Sequence, residues 1–179
     1  MFALLTGWAP AAGAEVARYR IDLAQSILGF KATSRVVNAD GRFHRFGGDV
    51  SVDPRDPTTA RISLTIETAS IDTANTKRDN HLRSPDFFWA ERYPTVVFES
   101  VSAARADGGL AIVGRLTLRG VTREITVPAT VSLNSDAFEA RGEFELKRTD
   151  YDMHYQSLLN PVGDVVHVRF IFKGRRDGP

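Results

Sequence analysis

Cysteine is absent from all 179 residues, which excludes disulfides, thiolate metal sites and a cysteine nucleophile. Histidine is scarce. The four, at positions 44, 81, 154 and 167, are too widely spaced for the close ligand pairs of helical or hairpin metal sites, so no metal and no cofactor are expected. Neither charge is in excess: 23 Lys and Arg stand against 22 Asp and Glu, a net +1, which gives no global field to recruit nucleic acid or an anionic membrane. No apolar run approaches the ~20 residues of a spanning helix. The nucleophile elbow G-x-S-x-G, the H-E-x-x-H zinc motif, the P-loop and the dinucleotide fingerprint are all missing. No catalytic residue can be assigned from local motifs, although a site assembled from distant residues leaves none to read.

What the sequence does have is enough apolar content, 42%, to enclose one substantial core or cavity in a single domain. Residues 1–14 read as a targeting segment. A short apolar stretch at 2–8 is followed by Ala12-Gly13-Ala14, the small-x-small pattern a signal peptidase needs before Glu15. No Lys or Arg precedes the stretch, so its basic region is truncated or atypical. The expected domain is 15–179, exported to the periplasm or secreted.

From Tyr19 onward the dominant signal is alternation, with apolar residues at every second position on one strand face. Leu28, Phe30 and Ala32 share a face; so do Val50 and Val52, and Ile62, Leu64 and Ile66. The second half continues with Val96 and Phe98, then Ile112, Gly114, Leu116 and Leu118, then Ile125, Val127, Ala129 and Val131. Two last sets are Phe138, Ala140, Gly142, Phe144 and Leu146, and Val166, Val168, Phe170 and Phe172, with His167 outward. Asp40-Gly41, Asp53-Pro54, Asp107-Gly108-Gly109, Arg119-Gly120 and Asn134-Ser135 supply turn chemistry between runs. Many such strands at close spacing predict an all-β fold, an antiparallel barrel of about eight strands able to hold one small ligand, with a sandwich as the alternative. Small inward residues, Ala32, Gly114, Ala129, Ala140 and Gly142, favour the hollow version.

One stretch departs from alternation. Thr76 with Asp79, then Ser84 with Pro85, offer two helix starts, so residues 75–89 predict a short helical excursion. It carries Leu82, Phe87, Phe88 and Trp89 and is a candidate lid. Arg78, Asp79, His81 and Arg83 crowd into it; they either cap and solvate a short helix or present a donor fork to a ligand's head group. Residues 150–160, with Tyr151, Tyr155 and Gln156, read as an ordered loop near a strand end.

At this level of detail the chain resembles the YceI-like family of polyisoprenoid-binding proteins. The resemblance rests on Tyr19-Arg20-Ile21-Asp22, Gly41-Arg42-Phe43, Ala69-Ser70-Ile71-Asp72-Thr73, and Arg78-Asp79-Asn80-His81-Leu82-Arg83-Ser84 with Asp86-Phe87-Phe88. Tyr93-Pro94-Thr95, the run from Gly114 through Arg119-Gly120-Val121-Thr122, and Gly163-Asp164 complete it. It implies a lipocalin-like extended barrel, a periplasmic or secreted location, no catalytic residues and a long apolar pocket for a polyisoprenoid lipid or an isoprenoid quinone. Carried onto this chain, Phe30, Phe43, Val96, Phe98, Leu116, Leu118, Phe144 and Phe87 are the expected channel residues, and Arg78, His81 and Arg83 the expected head-group contacts. The chain departs from many relatives at Gln25, where His is common, and in the short link from Ser34 to Asp40; both bear on the pocket's rim.

Three functional readings follow. A lipid carrier threads an isoprenoid tail into the barrel. An interaction module has a filled core and docks a partner on its strand faces. An enzyme acting on a lipid head group would draw on Arg78, Asp79 and His81. The first is favoured, with no enzymatic activity; a homodimer and a membrane redox partner stay open.

Overall fold

In the computed structural model residues 16–34, 38–158 and 161–177 are described; the targeting segment read at 1–14 lies outside them. Alternation becomes strand wherever one face is buried. β1 (Ala17–Ile21) buries Ala17, Tyr19 and Ile21 and exposes Arg18 and Arg20. The remaining strands are β2 (Ile27–Ser34), β3 (Ala39–Phe43), β4 (Phe46–Asp53), β5 (Asp56–Glu67), β6 (Ile71–Asp72) and β7 (Thr95–Ala106). After them come β8 (Gly109–Leu118), β9 (Val121–Leu133), β10 (Ala137–Lys147) and β11 (Val162–Arg176). Among the described residues one α-helix, α1 (Thr76–Arg83), interrupts the strands between β6 and β7.

All pairings are antiparallel, and eight strands close a ring in the order β1, β4, β5, β7, β8, β9, β10, β11 and back to β1. Closure depends on the length of β11. Its C-terminal end pairs with β1, Tyr19 opposite Arg176, while β2 takes over along the same edge from Ile171 opposite Ile27 onward. β3 and β6 extend this second layer of pairing, Phe30 opposite Gly41 and Phe43 opposite Ile71. The closed barrel, not the sandwich, is the architecture, and it leaves no long sheet edge for β1, β4 or β11.

The turns follow their chemistry. Arg119 (φ 52°) and Gly120 (φ 75°) are both left-handed, as a two-residue hairpin between Leu118 and Val121 requires. The Asn134 side chain accepts from the N–H groups of Asp136 (2.9 Å) and Ala137 (2.8 Å) to build the β9–β10 turn. Asp40-Gly41 is a correction: it lies inside β3 and not in a turn. Gly41 is there because any β-carbon would collide with the Phe30 ring across the strand pair.

Gly114 and Gly142 carry a second correction, since the space they leave is not cavity. The Phe98 ring fills the one and the Phe170 ring the other, as Phe138 does at Gly174. Each missing side chain admits an aromatic ring from the adjacent strand, which packs the wall more tightly. Ala129 sits in solid core, whereas Ala32 borders the cavity.

The interior is divided along the barrel axis. At one end Ala17, Tyr19, Val52, Ala60, Leu110, Ala129 and Phe138 are buried against one another, with Tyr19 edge-on to Phe138 at 5.9 Å. The Tyr19 hydroxyl donates to the Asn134 carbonyl at 2.6 Å, so this solid end has its buried phenol satisfied. The opposite end is hollow.

Candidate functional site

The hollow end encloses a cavity of about 350 Å³, within the range of small-molecule pockets. Its wall is built from period-2 strand faces: Phe30 on β2, Phe43 on β3, Val96 and Phe98 on β7, Leu116 and Leu118 on β8, and Phe144 on β10. Phe87 reaches it from the segment after α1. All eight expected channel residues therefore border one space. Gln25 does not; it donates to Asp22 at 2.7 Å away from the cavity, while Ser34 and Ala39, at the ends of the short link, do border it.

The helix is shorter than the 75–89 excursion. Asn75, not Thr76, is the N-cap, its side chain accepting from the Arg78 N–H at 3.0 Å. The helix stops at Arg83 because Ser84 precedes Pro85, which disfavours helical backbone at the residue before it; Ser84 is extended (φ −73°, ψ 171°) and caps the helix end by donating to His81 O at 2.7 Å. Phe87 and Phe88 follow in the turn segment and border the cavity together with Leu82 of the helix, whereas Trp89 does not, so helix and turn segment cover the cavity jointly.

Buried Asp79 clasps the helix to the strand before it, accepting from the Thr73 N–H (2.9 Å) and hydroxyl (2.5 Å). Arg78 completes the clasp: Nε donates to the Thr73 hydroxyl and Nη2 to the Thr73 carbonyl, both at 2.8 Å. Arg83, the third residue expected at the head group, donates to the carbonyls of Ala69 (2.9 Å) and Ile71 (2.7 Å) and lies outside the cavity wall. Arg78 and His81 do border the cavity. His81 shares a hydrogen bond with Asp86 at 2.9 Å, and its ring stands edge-on to Phe87 (5.0 Å) and Tyr155 (4.7 Å). Phe43 meets Phe88 at 5.8 Å, so an aromatic collar joins lid, barrel and the tract after β10.

That tract, read from the sequence at 150–160 as an ordered loop near a strand end, was not expected on the cavity. Residues 148–157 place Arg148, Tyr151, Met153, Tyr155 and Ser157 on the cavity, with Tyr155 against His81 of α1. Arg148 is buried and donates to the backbone carbonyls of Gly163 (3.0 Å), Val162 (3.2 Å) and Met153. Arg119 ties the tract to the lid, donating to Asp152 O and to Pro85 O (2.8 Å). Nothing periodic marks these residues; the tyrosines at a strand end were the signal that the loop is ordered.

Asp164 on β11 anchors the tract. It accepts from the Thr149 N–H at 3.1 Å and hydroxyl at 3.0 Å, and the hydroxyl bond is the largest influence holding its carboxyl below the ordinary 3.8. A carboxylate with a lowered folded pKa contributes stability that is present above the unfolded value and lost as pH falls through the folded one. Asp164→Asn is therefore expected to lower the melting temperature at neutral pH, with the gap to wild type narrowing as the pH drops below 3.8. A gap that stays constant with pH in a melting series would contradict this.

Among the described residues no Asp or Glu borders the cavity, and His81 is its sole imidazole. The wall is apolar with cations at its margin: Arg78, Lys147 and Arg148. This geometry can desolvate an apolar chain.

Known proteins resemble this chain in sequence and fold. Protein YceI of Escherichia coli is 34% identical over 142 residues, covering 75% of this chain and 72% of that protein. The crystal structure of BcnA from Burkholderia cenocepacia superposes with a TM-score of 0.77 at 28% identity, over 86% of this chain and 98% of that one. A domain from Saccharophagus degradans described as polyisoprenoid binding has a TM-score of 0.74 at 20% identity, over 91% of this chain and all of that one, and shares the fold. With the YceI-like domain model matching residues 19–173, from the first buried tyrosine almost to the end of β11, the chain belongs to the YceI-like family.

Proposed function

We propose that this protein binds a polyisoprenoid or similar long apolar lipid, a quinone tail or a prenyl phosphate, inside the hollow half of its barrel, and catalyses no reaction. The observation that carries the reading is the asymmetric interior: a solid end supporting a cavity walled by aromatic and aliphatic side chains. Burial of each methylene contributes about 0.8 kcal/mol, so an isoprenoid tail supplies its own affinity once a dry space exists for it. The polyisoprenoid-binding description of the Saccharophagus degradans domain supports the same ligand class. Absence of a carboxylate from the wall, among the described residues, supports a binding role over hydrolysis of a head group. The small-x-small site at Ala12-Gly13-Ala14 supports work in the periplasm or outside the cell, as carrier, store or scavenger.

The test is affinity against tail length. Prenyl quinones of increasing isoprene number are expected to bind about tenfold tighter or more with each added unit until the cavity is full, and then no tighter. Affinity independent of tail length would overturn the proposal.

A further inference from the structure

The cavity reaches different depths on neighbouring strands. On β10 its wall stops at Phe144, which lies opposite Val168 of β11. On β11 it runs two inward residues deeper, to Phe170 opposite Gly142 and Phe172 opposite Ala140, although neither Gly142 nor Ala140 borders it. The small residues of β10 leave room at that level, and rings from β11 occupy it. Phe170 takes the place of the side chain that Gly142 lacks, and Phe172 stacks on Phe170 with ring centroids 5.0 Å apart and 24° between the planes.

Phe172 belongs to both halves of the interior. It borders the cavity and is only partly buried, yet it also packs against the buried core. Phe46 of β4, buried and off the cavity, stands 5.5 Å from the same ring. The row Phe170, Phe172, Phe46 therefore bridges β11 to β4, the strands on either side of β1. Beyond it lies the close-packed end around Tyr19 and Phe138.

We propose that Phe172 is the floor of the cavity and sets how long an apolar tail the barrel accepts. A chain that has filled the space above this ring meets packed core, which admits further methylenes only with strain. The ring carries six carbons and an isoprene unit five, so replacing it by a methyl group opens room for about one further unit, because a core relaxes only partly around a deleted side chain. A ring that served packing alone would act differently: its loss would weaken binding of every tail and leave the limiting length where it was.

The inference rests on the proposed lipid-binding function, and the experiment separates the two. Wild type, Phe172→Ala and Phe172→Leu are titrated with prenyl quinones of one head group and increasing isoprene number, and the length at which affinity stops rising is read for each. Phe172→Ala is expected to stop about one unit later than wild type: the first tail too long for wild type binds the variant about tenfold tighter than the tail before it. Phe172→Leu is expected to show a smaller gain at the same step. Phe138→Leu, a truncation in the solid end, is expected to lower stability and leave the limiting length unchanged. A limiting length that stays put in both Phe172 variants, or moves as far in Phe138→Leu, would show that this ring does not set it. Should truncation unfold the barrel, the wild type decides: in NMR, the terminal isoprene methyls of a tail of limiting length are expected to show nuclear Overhauser effects to the Phe172 ring. Contacts of those methyls confined to the collar rings Phe43 and Phe87 would overturn the assignment. A wild-type protein that takes up none of the quinones, or binds all tail lengths alike, overturns the lipid-binding reading itself, and the inference with it.

Discussion

Val127→Trp is expected to reduce prenyl-lipid affinity more than a hundredfold while leaving the fold about as stable as before. Val127 is a buried residue of β9 whose side chain borders the cavity. An indole there occupies space otherwise filled by about four methylenes of ligand, roughly 3 kcal/mol of burial. The same enlargement in close-packed core costs about 1–3 kcal/mol or more through strain, which makes the neighbouring position a control. Ala129 lies two residues on, on the same face of β9, but within the solid end. Ala129→Trp is expected to destabilise the protein by at least that amount in urea denaturation. Equal destabilisation by the two variants would show that the barrel is filled throughout, and retained binding in Val127→Trp would place the ligand elsewhere.

Arg148→Met has the largest expected effect on the architecture of the mouth. The guanidinium is buried, bonds three carbonyls from Met153, Val162 and Gly163, and has no carboxylate within ion-pair distance among the described residues. Methionine fills similar volume but leaves those carbonyls without their charged donor. Each hydrogen bond to a charged group contributes about 1.5–3 kcal/mol, offset by removing a buried cation, so a net loss of about 3 kcal/mol is expected. The loss is local. Hydrogen exchange is expected to accelerate across 148–157 and the start of β11, while the strands around Tyr19 keep their protection. Unchanged exchange in the tract would mean that Arg148 does not hold it.

The barrel was legible because period-2 alternation survives in almost every strand, and Leu116, Phe98 and Phe144 point inward for the same reason that they alternate with polar residues. Depth along the axis was not legible. Val127 and Ala129 share a face and a period, yet one borders cavity and the other solid core, a difference set by which strands cross at each level. The glycines misled in a related way. Gly114 and Gly142 read as room, but cross-strand pairing delivers the Phe98 and Phe170 rings into it, and pairing partners are fixed by register. In the lid, adjacent Asn75 and Thr76 are both competent caps, and only backbone geometry decides between them. Arg78 and Arg83 lie five residues apart on α1, so one faces the cavity and the other the turn at Ala69. Tyr151 and Tyr155 were legible as part of an ordered loop, but their place on the cavity was not, because it depends on how that loop folds back over the barrel end.

The central claim, that the hollow end holds an isoprenoid chain, is tested most directly by native mass spectrometry of the protein isolated from the cells that make it, followed by organic extraction. One prenyl lipid per chain is expected, released on unfolding and identifiable in the extract. A protein that is reproducibly empty, and remains empty when offered prenyl quinones and prenyl phosphates, would contradict it and leave the barrel as an interaction module.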